Sequence, residues 1–187
     1  MSDASHNSAM KPRTAEPQLF DALAFAAYKH RDQRRKDAHA SPYINHPIAL
    51  AHLLSVEGGV TDTRTLIAAV LHDTIEDTET TYEELRARFG KLVADMVAEV
   101  TDDKALPKAE RKRLQVVHAP HKTKRAALVK LADKTWNLRD MADNPPVNWS
   151  FERRREYFDW AKAVIDGLPP VSKRLRQVFD EAYARRP

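Results

Sequence analysis

The sequence predicts an all-α domain, and three observations carry that prediction. Apolar residues recur at i, i+3, i+4 and i+7 along almost the whole chain. Only four glycines punctuate its 187 residues. No run alternates apolar and polar residues with the period of two that a half-buried strand requires. Segments of this kind bury their stripes by packing helix on helix.

Each element follows from its own signals. Residues 1–17 are polar, lack the apolar core of a signal peptide, and are expected to form a disordered tail. Residues 18–187 are then one domain, large enough to bury a core. Phe20, Leu23, Ala24, Ala27 and Tyr28 mark the stripe of a first helix. Pro47 opens a second, because its fixed φ suits a first turn; Leu50, Leu53 and Leu54 carry it to Gly58-Gly59. Asp62 or Thr63 caps a third, which holds the apolar run Leu66 to Leu71 and is expected to continue through His72-Asp73-Thr74-Ile75-Glu76-Asp77. Thr81 with Glu84 makes a capping box for Tyr82 to Phe89, and Gly90 ends that helix. Leu92, Met96, Val97 and Val100 mark the next. Pro107 starts a strongly basic helix, Lys108 to His118. Ala126 to Met141 is apolar-periodic again. Beyond Pro145-Pro146, one stripe is Tyr157, Ala161, Val164, Ile165 and Leu168. The last is Val171, Leu175, Val178, Phe179 and Ala182.

Composition excludes several classes. The chain has no cysteine, which rules out a disulfide scaffold and thiolate metal sites. No apolar run is long enough to span a bilayer. A cytoplasmic protein without a membrane partner is expected. Thirty-one basic residues against 27 acidic leave a formal charge of +4. So small an excess is no nucleic-acid signature, and none is expected as a partner.

The segment His72 to Asp77 carries the chemistry. It sets an imidazole and three carboxylates directly after an apolar run, and burying charge is costly unless it is paired or metal-bound. On one continuous helix the four groups span an arc of roughly 140°, with Glu76 and Asp77 about 5.4 Å beyond His72 and Asp73. That layout suits a metal with acid/base groups that handle water. A metal wants more protein ligands than one His-Asp pair. His46 at the entry of the second helix and Asp133 in the apolar run Leu128 to Lys134 supply them. For Asp133 the competing reading is a buried salt bridge to a nearby lysine or arginine. Two imidazoles and two carboxylates suit Mn, Fe, Ni or Zn better than Ca, and the lack of sulfur disfavours Cu(I). Asn137 shares the face of Asp133 one turn on. The remaining histidines, His30, His39, His52, His118 and His121, read as surface or packing residues. Arg34-Arg35-Lys36 lies on the approach to His46, and such charges beside a hard metal point to a phosphate-rich substrate. The other basic residues, around Pro107 and at Lys122 to Arg125, read as solvated helix faces.

Taken together, His46, His72-Asp73 and Asp133 resemble the metal site of the HD phosphohydrolase superfamily. Several segments narrow the likeness: Arg35-Lys36, Pro42-Tyr43-Ile44-Asn45-His46-Pro47, Ala69 to Thr78, Val100-Thr101-Asp102-Asp103-Lys104, and Val129 to Lys134 with Asn137-Leu138-Arg139. From about Phe20 to the C-terminus the chain resembles the hydrolase domain of the RelA/SpoT alarmone enzymes, most of all the small stand-alone form to which the metazoan SpoT homologue belongs. The resemblance implies an HD-domain bundle of roughly ten helices that binds one Mn²⁺ through His46, His72, Asp73 and Asp133. It implies that Glu76 and Asp77 position and activate water, that Arg35 and Lys36 contact the nucleotide, and that Asn137 meets the ribose or nearby substrate atoms. The reaction it implies is hydrolysis of the 3′-pyrophosphate of (p)ppGpp, giving GDP or GTP and pyrophosphate; no synthetase activity is expected. Two departures bear on base selectivity: Ala38-His39-Ala40-Ser41 lengthens the segment after Arg35-Lys36, and Trp136 stands where Tyr or His is common. Two alternatives stay open: a phosphatase of another nucleotide, such as the 2′-phosphate of NADPH, and a non-catalytic helical module that binds nucleotide or nucleic acid.

Overall fold

The structure, a computed structural model, describes residues 15–187. The expected tail falls outside these residues up to position 14, while Ala15, Glu16 and Pro17 already belong to the first helix. The described residues form α1 (Ala15–Lys29), α2 (Asn45–His52), α3 (Thr63–Leu71), α4 (Thr74–Asp77), α5 (Tyr82–Phe89), α6 (Lys91–Val100), α7 (Lys108–His118), α8 (Lys124–Asp143), α9 (Phe151–Gly167) and α10 (Lys173–Tyr183). Among them an isolated antiparallel bridge, Arg34 to Pro42, is the one β-type pairing, so the all-α prediction holds. No helix of the described residues is long and apolar enough to cross a membrane.

Two helices organise the bundle. In α3 every residue from Thr65 to Leu71 is buried, as expected of a helix apolar all round, and it packs against α1, α2, α6 and α8. The 20-residue α8 runs across the molecule against α2, α3, α6, α9 and α10. Its buried face is mostly apolar but includes Lys130, Asp133 and Lys134. The site lies where α2, the end of α3 and the middle of α8 meet.

Two expectations are corrected. The buried face of α1 is Ala22, Phe25 and Ala26 with Leu19 and Leu23 beside them; Phe20 and Tyr28 face solvent, 70% and 64% exposed. The expected stripe was out of phase because apolar residues surround this helix, and packing on α3 chooses among them. The second correction is that α3 does not run on through Asp77. It ends at Leu71, and a separate single turn, α4, follows. Side chains make the break. His72 Nδ1 pairs with the Ala69 carbonyl at 2.9 Å, and the Thr74 hydroxyl donates to the Leu71 carbonyl at 2.7 Å. These bonds satisfy carbonyls that a helix end leaves open. The capping box at α5 is half made: Thr81 accepts from the Glu84 N–H at 3.1 Å, while the Glu84 carboxylate pairs with Lys29 of α1 at 2.9 Å.

Candidate metal centre and nucleotide pocket

The break after α3 is what turns His72 and Asp73 into one corner of a cluster. His46 enters from the first turn of α2 and Asp133 from the middle of α8. His46 Nε2 lies 3.4 Å from Asp133 Oδ1 and 3.8 Å from Asp73 Oδ2. His72 Nε2 lies 2.8 Å from Asp73 Oδ2 and 3.9 Å from Asp133 Oδ1. Ligand atoms about 2.0–2.2 Å from a common ion are separated by distances of this size. His46, His72 and Asp133 form a buried group able to hold a divalent metal, and Asp73 brings a fourth candidate ligand atom, a second carboxylate oxygen, to the same space.

A second observation supports that fit. His72 Nε2 is buried and, although Asp73 Oδ2 lies 2.8 Å away, it makes no well-aligned hydrogen bond. Its other nitrogen faces the Ala69 carbonyl and so carries the proton, which leaves the Nε2 lone pair pointing into the cluster. Burial disfavours the charged form of Asp73, yet the two histidines outweigh it and hold its pKa below the usual carboxylate range. Burial likewise opposes ionisation of Asp133, and Lys134 with His46 overrides it. Burial lowers the pKa of His46 and favours its neutral, ligating form. For His72 burial works the same way but Asp73 and Asp133 prevail, so its pKa rises. Asp133 uses its two oxygens differently: Oδ2 accepts from Lys134 Nζ at 3.0 Å, and Oδ1 faces the histidines.

The acidic pair is split by its partners. Asp77 accepts from Gln33 Nε2 at 3.0 Å and pairs with Lys104. Glu76 accepts the Asp102 N–H at 3.1 Å and has Arg111 at 3.7 Å. Burial raises the pKa of Glu76, a shift the Asp102 N–H partly offsets and Asp73 reinforces. The segment between α6 and α7 thus reaches both acids, Glu76 through the Asp102 N–H and Asp77 through Lys104, while Gln33 holds Asp77 from the segment after α1.

Next to the cluster lies an open cavity of about 360 Å³ whose wall includes Arg35, Lys36, Tyr43, Asp77, Asn137, Trp149 and Tyr157. It combines guanidinium and ammonium charge with three aromatic rings, the chemistry that receives phosphates and a base. Lys36 is exposed. Arg35 is not free: it pairs with Asp140 and donates to Asn137 Oδ1 at 3.3 Å. Asn137 in turn donates to Asp133 Oδ1 at 2.6 Å, so it links the basic wall to the cluster. Burial pushes the Tyr157 hydroxyl up to about 12, which keeps it a neutral donor near neutrality.

Sequence reasoning missed Tyr43, Gln33, Lys104, Trp149 and Tyr157. Tyr43 donates to Asp73, and both it and Lys104 lie inside motifs already singled out, so their neighbours were the available signal. Trp149 carried no signal beyond aromaticity, and Tyr157 read as part of an apolar helix stripe. Trp136 packs against the core and is absent from the cavity wall. The segment Ala38 to Ser41 is folded back: Asp37 Oδ1 accepts the N–H groups of His39 at 2.8 Å and Ser41 at 3.2 Å, and Arg35 N–H donates to the Ser41 carbonyl at 2.8 Å.

Comparison with known proteins identifies the family. The model of the HD domain family matches residues 22–157. The chain is 54% identical over 165 residues to guanosine-3′,5′-bis(diphosphate) 3′-pyrophosphohydrolase MESH1 of Xenopus tropicalis, covering 88% of this chain and 92% of the relative. It is 53% identical over 169 residues to the human protein of the same name, covering 90% and 94%. A solved structure described as a metazoan orthologue of SpoT that hydrolyses ppGpp superposes with a TM-score of 0.88 at 47% identity, covering 95% of this chain and 98% of that one. The chain therefore belongs to the HD domain family and, within it, to the small stand-alone form of the RelA/SpoT-type alarmone hydrolases.

Proposed function

We propose that residues 18–187 form one hydrolase unit that cleaves the 3′-pyrophosphate of (p)ppGpp, giving GDP or GTP and pyrophosphate, with Mn²⁺ held by His46, His72, Asp73 and Asp133. The observation that carries this reading is the convergence of those four side chains beside a cavity walled by Arg35, Lys36 and Asp77, in a chain more than half identical to named 3′-pyrophosphohydrolases. Bound in the cluster, a divalent ion supplies Lewis-acid charge next to the phosphates. Asp77 and Glu76 orient the attacking water and take its proton. Arg35 and Lys36 grip phosphate oxygens, Asn137 keeps Asp133 and Arg35 in register, and the aromatic wall receives the rest of the nucleotide. The test is product identification with purified protein, Mn²⁺ and ppGpp. Pyrophosphate with GDP is the expected result. Orthophosphate release from NADPH with no pyrophosphate from ppGpp would reassign the substrate, and no turnover of either would make the chain a binding module.

A further inference from the structure

We propose that Arg111 and Gln115 of α7 are positioning residues for Glu76, acting on its carboxylate directly and through Asp102. The inference rests on the function proposed above. Helix α7 buries no residue of its own, yet it lies against α9 and sends two side chains one turn apart to the same place. Gln115 Nε2 donates to Asp102 Oδ2 at 2.5 Å, and the Asp102 N–H donates to Glu76 Oε2 at 3.1 Å. Arg111 Nη1 lies 3.7 Å from the other oxygen, Glu76 Oε1. Both oxygens of one carboxylate are thus addressed by groups that α7 supplies or clamps.

Glu76 needs such a hold. It sits on a single turn of helix, too short to be rigid by itself, and its side chain has several rotamers open to it unless neighbours fix one. A hydrogen bond on one oxygen and a guanidinium charge beside the other restrict the rotation of the carboxylate and so bias the direction in which it meets water. Asp77 has a separate set of partners, Gln33 and Lys104, so α7 acts on Glu76 alone.

A substrate contact does not explain the arrangement. Arg111 and Gln115 are absent from the wall of the nucleotide cavity. They line a different one, of about 200 Å³, together with Asp102, Lys122 and Lys130. Arg111 Nε and Gln115 Oε1 are buried without a hydrogen-bond partner. Leaving a donor and an acceptor desolvated is unfavourable, and a basic helix serving only as a solvated face would leave both in water.

The experiment uses the full chain and the variants Arg111→Met, Arg111→Lys and Gln115→Met. It reads kcat and KM with Mn²⁺ and ppGpp, bound metal, and hydrogen exchange of the Asp102 amide in metal-free protein. Arg111→Met and Gln115→Met are expected to lower kcat by roughly 10- to 10²-fold, the scale of a misplaced reacting group, with KM and metal content unchanged. Arg111→Lys keeps the charge and is expected to recover part of kcat. Gln115→Met is expected to speed exchange at Asp102. Unchanged kcat in both Met variants overturns the proposal, as does a raised KM with intact kcat, which would make Arg111 a substrate contact. Wild-type exchange at Asp102 in Gln115→Met overturns the clamp whatever the activity. Should Arg111→Met fail to fold, Gln115→Met decides alone. An inactive wild type would sink the proposed reaction, and the exchange measurement would still decide whether α7 holds the Asp102–Glu76 contact.

Discussion

At the scale of single residues, the acids and the basic wall are separable by their partners. Glu76 and Asp77 touch no ligand atom of the cluster, so Glu76→Gln and Asp77→Asn are expected to keep the metal. Each should lose about 10²- to 10⁴-fold in turnover, the usual cost of a missing acid or base. Metal analysis beside steady-state kinetics checks this, and loss of metal in both would make them ligands. Arg35 is a different case. On sequence alone it reads as a free clamp; in the fold it also binds Asp140 and Asn137, with only 18% of its side chain exposed. Arg35→Ala is expected to raise KM more than it lowers kcat, since a grip shared by ground and transition states acts on KM. It should also cost roughly 1–3 kcal/mol of stability, because Asp140 loses its partner in a half-buried site. Denaturant melts alongside kinetics separate the two effects. A change in kcat alone would make Arg35 a catalytic group.

Elements show how much was legible and why the rest was not. The helices of the bundle announced themselves by period and caps. Pro107 is the N-cap of α7, Gly90 closes α5, and the Val164-Ile165 and Leu175-Phe179 stripes are buried as spaced. The four residues that meet in the cluster could be picked out in the sequence: His72 follows an apolar run with Asp73 beside it, Asp133 interrupts another, and His46 stands at a helix entry. Two things could not be read. The phase of α1 depends on which of its apolar sides α3 accepts. The break at His72-Asp73 depends on Thr74 and His72 capping carbonyls, which no periodicity reveals. Both are testable. Phe25→Ala should cost about 3–5 kcal/mol, as truncation of a buried aromatic does, while Phe20→Ser on the same helix should stay within about 0.5 kcal/mol. Equal losses in urea melts would restore the stripe that contains Phe20. Thr74→Val keeps the shape and removes the hydroxyl that caps Leu71, so a loss of roughly 1–3 kcal/mol is expected. A neutral result would mean that the cap does not hold the break.

For the whole molecule, the proposed metal cluster would act as a clamp as well as a reaction centre. Its side chains come from α2, the α3–α4 junction and α8, elements far apart in sequence that meet only in the folded chain. The unfolded chain offers no such convergence, so an ion that binds the native state stabilises it by mass action. At an ion concentration 100-fold above the dissociation constant the gain is about 2.7 kcal/mol. For a domain of this size, roughly 2–4 °C per kcal/mol makes that a Tm rise of about 5–10 °C. Thermal melts with added Mn²⁺ and after chelation should therefore differ by that amount. His72→Ala and Asp73→Ala should keep the helical spectrum yet lose bound metal, turnover and the Mn²⁺-dependent shift together, since both side chains serve the cluster and neither belongs to the apolar core. Glu76→Gln should retain the shift in full while losing turnover. If His72→Ala still melted higher in Mn²⁺, the ion would be binding elsewhere. If no protein responded to Mn²⁺, Zn²⁺ or Fe²⁺, the buried lone pair of His72 would have no ion to meet and the cluster would be a structural ion-pair network.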